Sequence, residues 1–372
     1  MAYTDIDDPS AHFQTLKYTG NGSNPRNLTN EGNSDLKPDF LWTKNLTDNG
    51  TNNVITNSTY GFDAPNSPGS GGQVSSDSTG GVNTPNATYG YISAALTDGF
   101  TAAAGGTNGD TMNANGKEFA AWQWKVNGGS TSTNNDGNIA TTVQANTTAG
   151  VSIITYDGNG VQSGKTVGHG LGKVPAFIMS KDRDGTSNVP GWRCYHQSAG
   201  PTKYVDLQID QYFAAYQDWD DTAPTSSVYS VGGAGGYTPT NTNNTEYISF
   251  VFAEVQGFSR VGKYQGNANL QGPYVNCGFK PAWVIIKADS NYKYWYIFDN
   301  KMDTINQIDT GLSPSNTFAA NTNTNIGIDF YSNGFQIRNT STTTNQSTTN
   351  CYYMAFAEQP FVTSTGIPTT AR

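Results

Sequence analysis

One pattern recurs three times along this chain, and it constrains the fold before any single residue is weighed. A Tyr-x-Gly-Asn turn is followed by a strand-like run that opens on Lys-Pro or Val-Pro. An aromatic run ending near Trp-Lys or Ala-Glu closes the pattern. The turn reads Tyr18-Thr19-Gly20-Asn21, Tyr156-Asp157-Gly158-Asn159 and Tyr264-Gln265-Gly266-Asn267. The second run opens at Lys37-Pro38, Val174-Pro175 and Lys280-Pro281 and ends on Lys44, Lys181 and Lys287. The closing run ends at Trp124-Lys125, Ala253-Glu254 and Ala357-Glu358. From the second copy to the third, all three landmarks advance by about 105 residues. The first copy is longer, and its extra sequence is placed in the Gly/Ser/Pro/Asn-rich stretch from Asp63 to Ala87.

Within each copy, short apolar or alternating runs are bounded by Gly, Asn, Asp and Pro, as strands are. Phe177-Ile178-Met179 and Val284-Ile285-Ile286 are examples. In the closing run Ile248, Phe250 and Phe252 fall on one face and Tyr247, Ser249 and Val251 on the other. Tyr352, Met354 and Phe356 repeat that alternation, as do Ala120, Trp122 and Trp124. One large apolar face per copy suits the interior of a two-sheet sandwich. The expected fold is all-β, with three tandem β-sandwich-like repeats of about 105–130 residues. The expected units are 1–126, 127–258 and 259–372. The polar stretch Asn127 to Gly137 reads as a flexible linker, and Val255 to Arg260 as a tighter joint.

Composition narrows the function classes. Charged residues make up 13% of the chain, about half the usual share, and Asn, Thr, Ser and Gly fill the gap. Aromatics reach 12%, with 21 Tyr and 7 Trp, which points to ordered modules with uncharged, hydrogen-bonding surfaces. A net charge of −9 without a basic cluster argues against nucleic-acid binding. No apolar run is long enough for membrane insertion, and the first residues lack the pattern of a signal peptide. Cys194, Cys277 and Cys351 have no metal-ligand spacing, so no cofactor is expected.

The segments Ala121-Trp122-Gln123-Trp124-Lys125, Val143 to Gly150, Gly168-His169-Gly170-Leu171-Gly172 and Phe356 to Phe361 carry a resemblance. They resemble a repeat domain of virion proteins in marine tailed bacteriophages, described there as tail-fibre or unassigned structural proteins. The resemblance spans nearly the whole chain, is strongest from about Phe119 onward, and excludes the Asp63 to Ala87 segment. It implies a particle component that assembles in the host cytoplasm, contacts other virion proteins and forms a homo-oligomer. It carries no catalytic signature.

Candidate chemistry is sparse. With only His12, His169 and His196 as imidazole bases, nucleophilic catalysis has little support. His169 lies in a Gly-rich turn, and Cys194-Tyr195-His196 reads as strand packing. The densest acidic group is Asp218, Asp220 and Asp221 around Trp219, with Tyr216 and Tyr237 nearby in sequence. An aromatic face beside carboxylate acceptors suits a sugar, the carboxylates alone would suit a hard cation although the spacing of a calcium loop is lacking, and the alternative is a solvated turn whose Trp covers the sandwich edge. Tyr212, Tyr229, Tyr292, Tyr294 and Tyr296 fall in or near connecting segments and suit either glycan recognition or a protein seam. The leading expectation is a non-enzymatic tail-fibre or spike adhesin that binds a host surface glycan or an outer-membrane receptor. A capsid-decorating or filament-forming protein is the alternative, and a polysaccharide-degrading spike is the third. Residues 1–16 are expected to serve as an attachment arm or a loose terminus, with His12 and Phe13 as anchors.

Overall fold

The computed structural model describes residues 3–62, 73–82, 88–106, 111–187, 190–322 and 326–369. Three principal antiparallel sheets of five, six and four strands share a common four-strand arrangement. The first sheet uses β1 (Phe13–Thr19), β2 (Phe40–Asn45), β3 (Val54–Asn57) and β4 (Glu118–Trp124). The second uses β5 (Val151–Asp157), β6 (Pro175–Asp182), β7 (Trp192–His196) and β8 (Glu246–Ala253). The third uses β9 (Ser259–Gln265), β10 (Phe279–Ala288), β11 (Tyr296–Asp299) and β12 (Asn350–Pro360). Among these four strands of each sheet the spatial order is first, fourth, second, third; Val74–Ser75 extends the first sheet beyond its third strand, and Thr141–Asn146 and Ser132–Asn134 extend the second beyond its first. The Tyr-Gly-Asn run, the Pro run and the closing run of the sequence are the first, second and fourth strands.

The closing strand lies between the other two, so it is covered on both edges and both faces. Its alternation sorts residues between two cores rather than between core and water. Ile248, Phe250 and Phe252 face a cluster shared by all three sheets, while Tyr247, Val251 and Ala253 face a second core beneath Lys165–Gly168 and Val228–Val231. Trp122 and Trp124 likewise point to the shared cluster, with Phe119 and Ala121 facing the small sheet of Arg26–Leu28, Phe100–Ala103 and Tyr91–Ala95. The shared cluster is a chain of rings. Phe40 stacks on Phe250 at 4.3 Å, Trp124 meets Trp283 edge-on at 5.7 Å, and Phe252 meets Phe356 at 5.9 Å. The three segments therefore share one core, because the larger face of each principal sheet is spent on its neighbours.

The Asn127 to Gly137 stretch is not a loose linker. The Asp39 carboxylate accepts the backbone N–H of Val126 (2.6 Å) and of Gly128 (3.0 Å), and Ser132–Asn134 pairs with Thr141–Val143. Nor is the N-terminal stretch from Tyr3 a free arm. Phe13 is buried against Trp124 and Phe356, the His12 ring packs on Phe258, and the Tyr3 hydroxyl donates to the Gly278 carbonyl at 2.7 Å. Of the expected insertion, residues 63–72 and 83–87 lie outside the described residues. Between them, Val74–Ser75 adds a short strand beside β3, and the Val82 N–H donates to the Arg183 carbonyl of the second segment.

The Tyr-x-Gly-Asn turn is held by the same device three times. The Tyr18, Tyr156 and Tyr264 hydroxyls donate to the carbonyls of Met112, Thr240 and Thr344, the residues just before Asn113, Asn241 and Asn345. Those asparagines are fully buried. Their side-chain oxygens accept the backbone N–H of Asn21, Asn159 and Asn267, at 3.2, 3.0 and 2.8 Å. A Cβ on Gly20, Gly158 or Gly266 would lie 2.1–2.2 Å from a backbone carbonyl oxygen, so the turn admits only glycine.

The principal sheets also interlock in a directed sequence. At one corner of each sheet, Trp192 pairs with Lys181, and Asn53 and Trp295 each adjoin the last paired position of their strand pair, Thr43↔Val54 and Ile286↔Tyr296, next to Lys44 and Lys287. Asn53 donates to carbonyls of the third segment, Trp192 Nε1 to Ser75 O of the first, and Trp295 Nε1 to Asp206 O of the second. First contacts third, second contacts first, third contacts second. Such head-to-tail contacts close into a ring, here within a single chain.

Candidate functional site

The acidic group singled out in the sequence divides when folded. Asp218 is fully buried and lies 3.3 Å from Arg193, which also pairs with Asp206. At that spacing the angle to Arg193 makes an ion pair but no hydrogen bond, and neither Asp218 oxygen has a hydrogen-bond partner. Burial pushes the Asp218 carboxyl up to about 7 against the opposing pull of Arg193. Trp219 is 1% exposed and packs between Tyr195 and Tyr229 in the second segment's outer core. These two residues are structural, a correction to the reading of them as ligand contacts. Arg193 supplies the buried counter-charge that draws Asp218 inward, and the adjacent indole is the larger apolar surface to cover.

Tyr216 and Tyr237 behave differently. The Tyr216 hydroxyl and the Tyr237 backbone N–H both donate to the Ala234 carbonyl, which brings the two loops together. Tyr237 is 53% exposed and Tyr216 half-buried, its ring edge-on to Tyr204 at 6.4 Å. Tyr204 in turn lies under the Arg193 guanidinium at 4.4 Å. Asp220 and Asp221 follow on the neighbouring turn, both with left-handed φ, 50° and 48°. Holding such residues costs about 1–3 kcal/mol each when the surroundings impose it. Asp220 Oδ2 accepts the Gly164 N–H at 2.7 Å, and Asp221 Oδ2 accepts from Gln217 Nε2 at 2.9 Å. Two aromatic faces, two carboxylates and an amide thus share one rim of the second segment. Of the other tyrosines, Tyr212 and Tyr292 are exposed, Tyr294 and Tyr296 half-buried, and Tyr229 is buried with its hydroxyl donating to Ser249 Oγ.

A second feature was invisible in the sequence because its walls come from distant parts of the chain. A cavity of about 200 Å³ opens at the seam of the first and third segments, lined by Gln14, Glu31, Asn300, Lys301, Glu358 and Gln359 above a Phe13 floor. Glu31 and Lys301 pair at 2.8 Å across it, and Thr15 Oγ1 donates to Asn300 Oδ1 at 3.1 Å. Its volume is below the about 300 Å³ at which drug-sized ligand sites begin, and its walls are polar.

His169 and His196 are buried and contact the carbonyls of Thr225 and Tyr353 through Nε2. Burial holds the His196 imidazole down at about 4 and lifts the Cys194 thiol well above its ordinary range. No group of three or more His, Cys, Asp or Glu side chains suited to a metal ion occurs among the described residues.

A family model matches residues 8–360, spanning all three principal sheets. The chain belongs to the DUF7483 family. The description of that family is a domain of unknown function. No curated protein and no solved structure matches the chain.

Proposed function

We propose that this chain is a non-enzymatic structural component of a tailed-phage particle, most specifically a tail-fibre or spike adhesin for a neutral host-surface glycan. The observation that carries this reading is the rim of the second segment. Tyr216 and Tyr237 are fixed to one carbonyl with Gln217, Asp220 and Asp221 beside them. Rigid tyrosine faces supply contact area at low entropic cost, and carboxylate and amide oxygens accept hydrogen bonds from sugar hydroxyls. Several copies on one particle would add avidity to a weak single site. The resemblance to phage virion repeats supports the placement on a particle. The test is adsorption of the purified chain to host cells before and after their surface glycans are stripped. Binding lost on stripping and on a Tyr216→Ala/Tyr237→Ala exchange supports the reading, and equal adhesion to non-host cells overturns it.

Capsid decoration is the second reading. Tyr292 (82% exposed), Ile305 (75%) and Phe318 (58%) expose large apolar surface on the third segment, as a contact to a neighbouring subunit would require. Immunogold labelling of intact particles separates the two. Label on the tail favours the adhesin, and label spread over the head favours decoration. A polysaccharide-degrading spike ranks third. Two carboxylates flanking a cleft about 5–10 Å apart are needed for glycoside hydrolysis, whereas Asp220 and Asp221 are adjacent on a single turn and Asp218 is buried. Release of reducing ends from host glycan, abolished by Asp220→Asn, would promote it.

A further inference from the structure

The three corner lysines are fully or almost fully buried, yet their partners differ. Lys181 Nζ donates to the carbonyls of Ser78 and Thr79, both at 3.1 Å, and Lys287 Nζ to the carbonyls of Ala288 and Lys293. At the corresponding positions Trp192, paired with Lys181, and Trp295, one residue before the Ile286↔Tyr296 pair, carry indoles, which offer no electrophile. Lys44 alone faces a carboxamide. Its Nζ lies 2.9 Å from Asn53 Oδ1, and Asn53 is fully buried. The Asn53 Cγ lies one carbonyl bond, about 1.2 Å, behind that oxygen.

A third group completes the corner. Asp77 Oδ1 accepts the Asn53 backbone N–H at 3.1 Å, while Asp77 Oδ2 is buried with no hydrogen-bond partner. The carboxyl is also close enough to favour the charged form of Lys44 electrostatically. The Asn53 Nδ2 donates toward three carbonyls, those of Asn316 (2.9 Å), Pro314 (3.2 Å) and Ser313 (3.4 Å). An amide nitrogen has two protons, so three acceptors around it exceed its own needs and match those of a departing ammonia or ammonium. The same network fixes the orientation of the amide, with its oxygen toward the lysine.

We propose that Lys44 and Asn53 become joined by an intramolecular isopeptide bond, with Asp77 as the acid–base group and the Ser313–Asn316 carbonyls receiving the ammonia. The Asp77 carboxylate, held at the Asn53 backbone and beyond ion-pair distance of Nζ, reaches the Lys44 ammonium by rotation of its unpartnered Oδ2 and takes a proton, and the freed lone pair attacks Asn53 Cγ. The carboxyl gives that proton to Nδ2 of the tetrahedral intermediate and takes the second proton from Nζ; the Cγ–Nδ2 bond breaks, the departing ammonia collects this proton to leave as ammonium, and a neutral Nζ–Cγ amide remains. A lysine ammonium and a carboxamide give a secondary amide and ammonium, with no oxidant, metal or co-reactant. The electrostatics of the corner assist each transfer. Burial lowers the Lys44 amine to about 8, and burial raises the Asp77 carboxyl to about 6, so the two exchange a proton more readily than in water. Holding amine and carboxamide in contact supplies the proximity that such uncatalysed amide chemistry lacks in solution.

The measurement is the intact mass of the purified full-length chain, followed by tryptic peptide mapping. The expected mass is lower than the sequence mass by one ammonia. Trypsin then fails to cleave after Lys44, and a single peptide from Asn27 to Lys117 carries Lys44 and Asn53 joined in an internal loop, lighter by one ammonia, with no backbone fragments between the two residues in its fragmentation spectrum. Asp77→Asn, which preserves shape, is expected to restore the full sequence mass, and Asn53→Asp to lose one water instead of one ammonia. Linear peptides containing unmodified Lys44 and Asn53, recovered from folded protein after prolonged incubation, overturn the proposal even if the total mass is low, since that deficit would then lie at a succinimide elsewhere. Persistence of the looped peptide in Asp77→Asn overturns the role of Asp77. The wild-type mass decides the principal question whether or not a Lys44→Met variant folds.

Discussion

The turn at one end of each principal sheet and the loops at Tyr216 and Tyr237 are built from the same kinds of residue, but only the first recurs. Tyr18, Tyr156 and Tyr264 each bond a carbonyl beside a buried Asn, and each Asn bonds back to the turn. The Tyr216–Ala234–Tyr237 junction has one copy, and its second tyrosine faces water. What recurs three times satisfies the fold's own buried polar groups. What occurs once is free to differ, and this is where a ligand surface is to be sought.

Substitutions can break this contrast, and the largest loss is expected where all three segments meet. Trp124→Ala removes contacts to Phe13, Phe40, Trp283 and Phe356 and should cost about 3–5 kcal/mol, measured by urea denaturation. Because the core is shared, the loss should appear in one transition rather than in the first segment alone. Next come the buried asparagines. Asn241→Ala leaves the Asn159 N–H and the Val161 carbonyl without their partners and should cost about 1–3 kcal/mol. Asn345→Ala should fall in the same range, and a much smaller value at either site would show that the recurring turn is decorative.

A pH effect of intermediate size is expected from the corner lysines. Burial holds Lys181 and Lys287 at about 8, below the unfolded value of 10.5. Within that window the unfolded chain binds more protons than the folded one, so stability should rise as pH increases above 8 and fall as pH drops back through it. The unfolding temperature should climb from pH 8 toward about 9, above which ionisation of the three buried thiols and the buried tyrosines in the unfolded chain opposes the rise. Lys181→Met should flatten part of that slope. The smallest effect on stability is expected at Tyr237→Ala, within about 0.5 kcal/mol, with cell adsorption as the readout that moves.

Much of this architecture was legible in the sequence because the recurring positions are the ones with least freedom. Gly20, Gly158 and Gly266 mark a close backbone approach, and the alternation of Ile248, Phe250 and Phe252 marks a strand. The asparagines that complete the turns passed unnoticed, although Asn113, Asn241 and Asn345 each stand five residues ahead of a closing strand. Asn is common in this chain, and nothing local distinguishes a buried one. The inward turn of Asp218 could not be read from its neighbours, since its counter-charge Arg193 is supplied by another strand. Likewise the alternation revealed two faces but not that both are covered, one by a small sheet and the other by the two remaining principal sheets.

The closed circuit of corner contacts has a consequence for how the molecule comes apart. An open row of repeats has two outer members, each with one free flank, and such arrays fray from their ends. Here Asn53, Trp192 and Trp295 leave no segment with a free flank. Pulling any one third away must open two interfaces together and uncover the shared rings. A pulling force or a protease therefore meets a single barrier for the whole chain, not three smaller ones in succession.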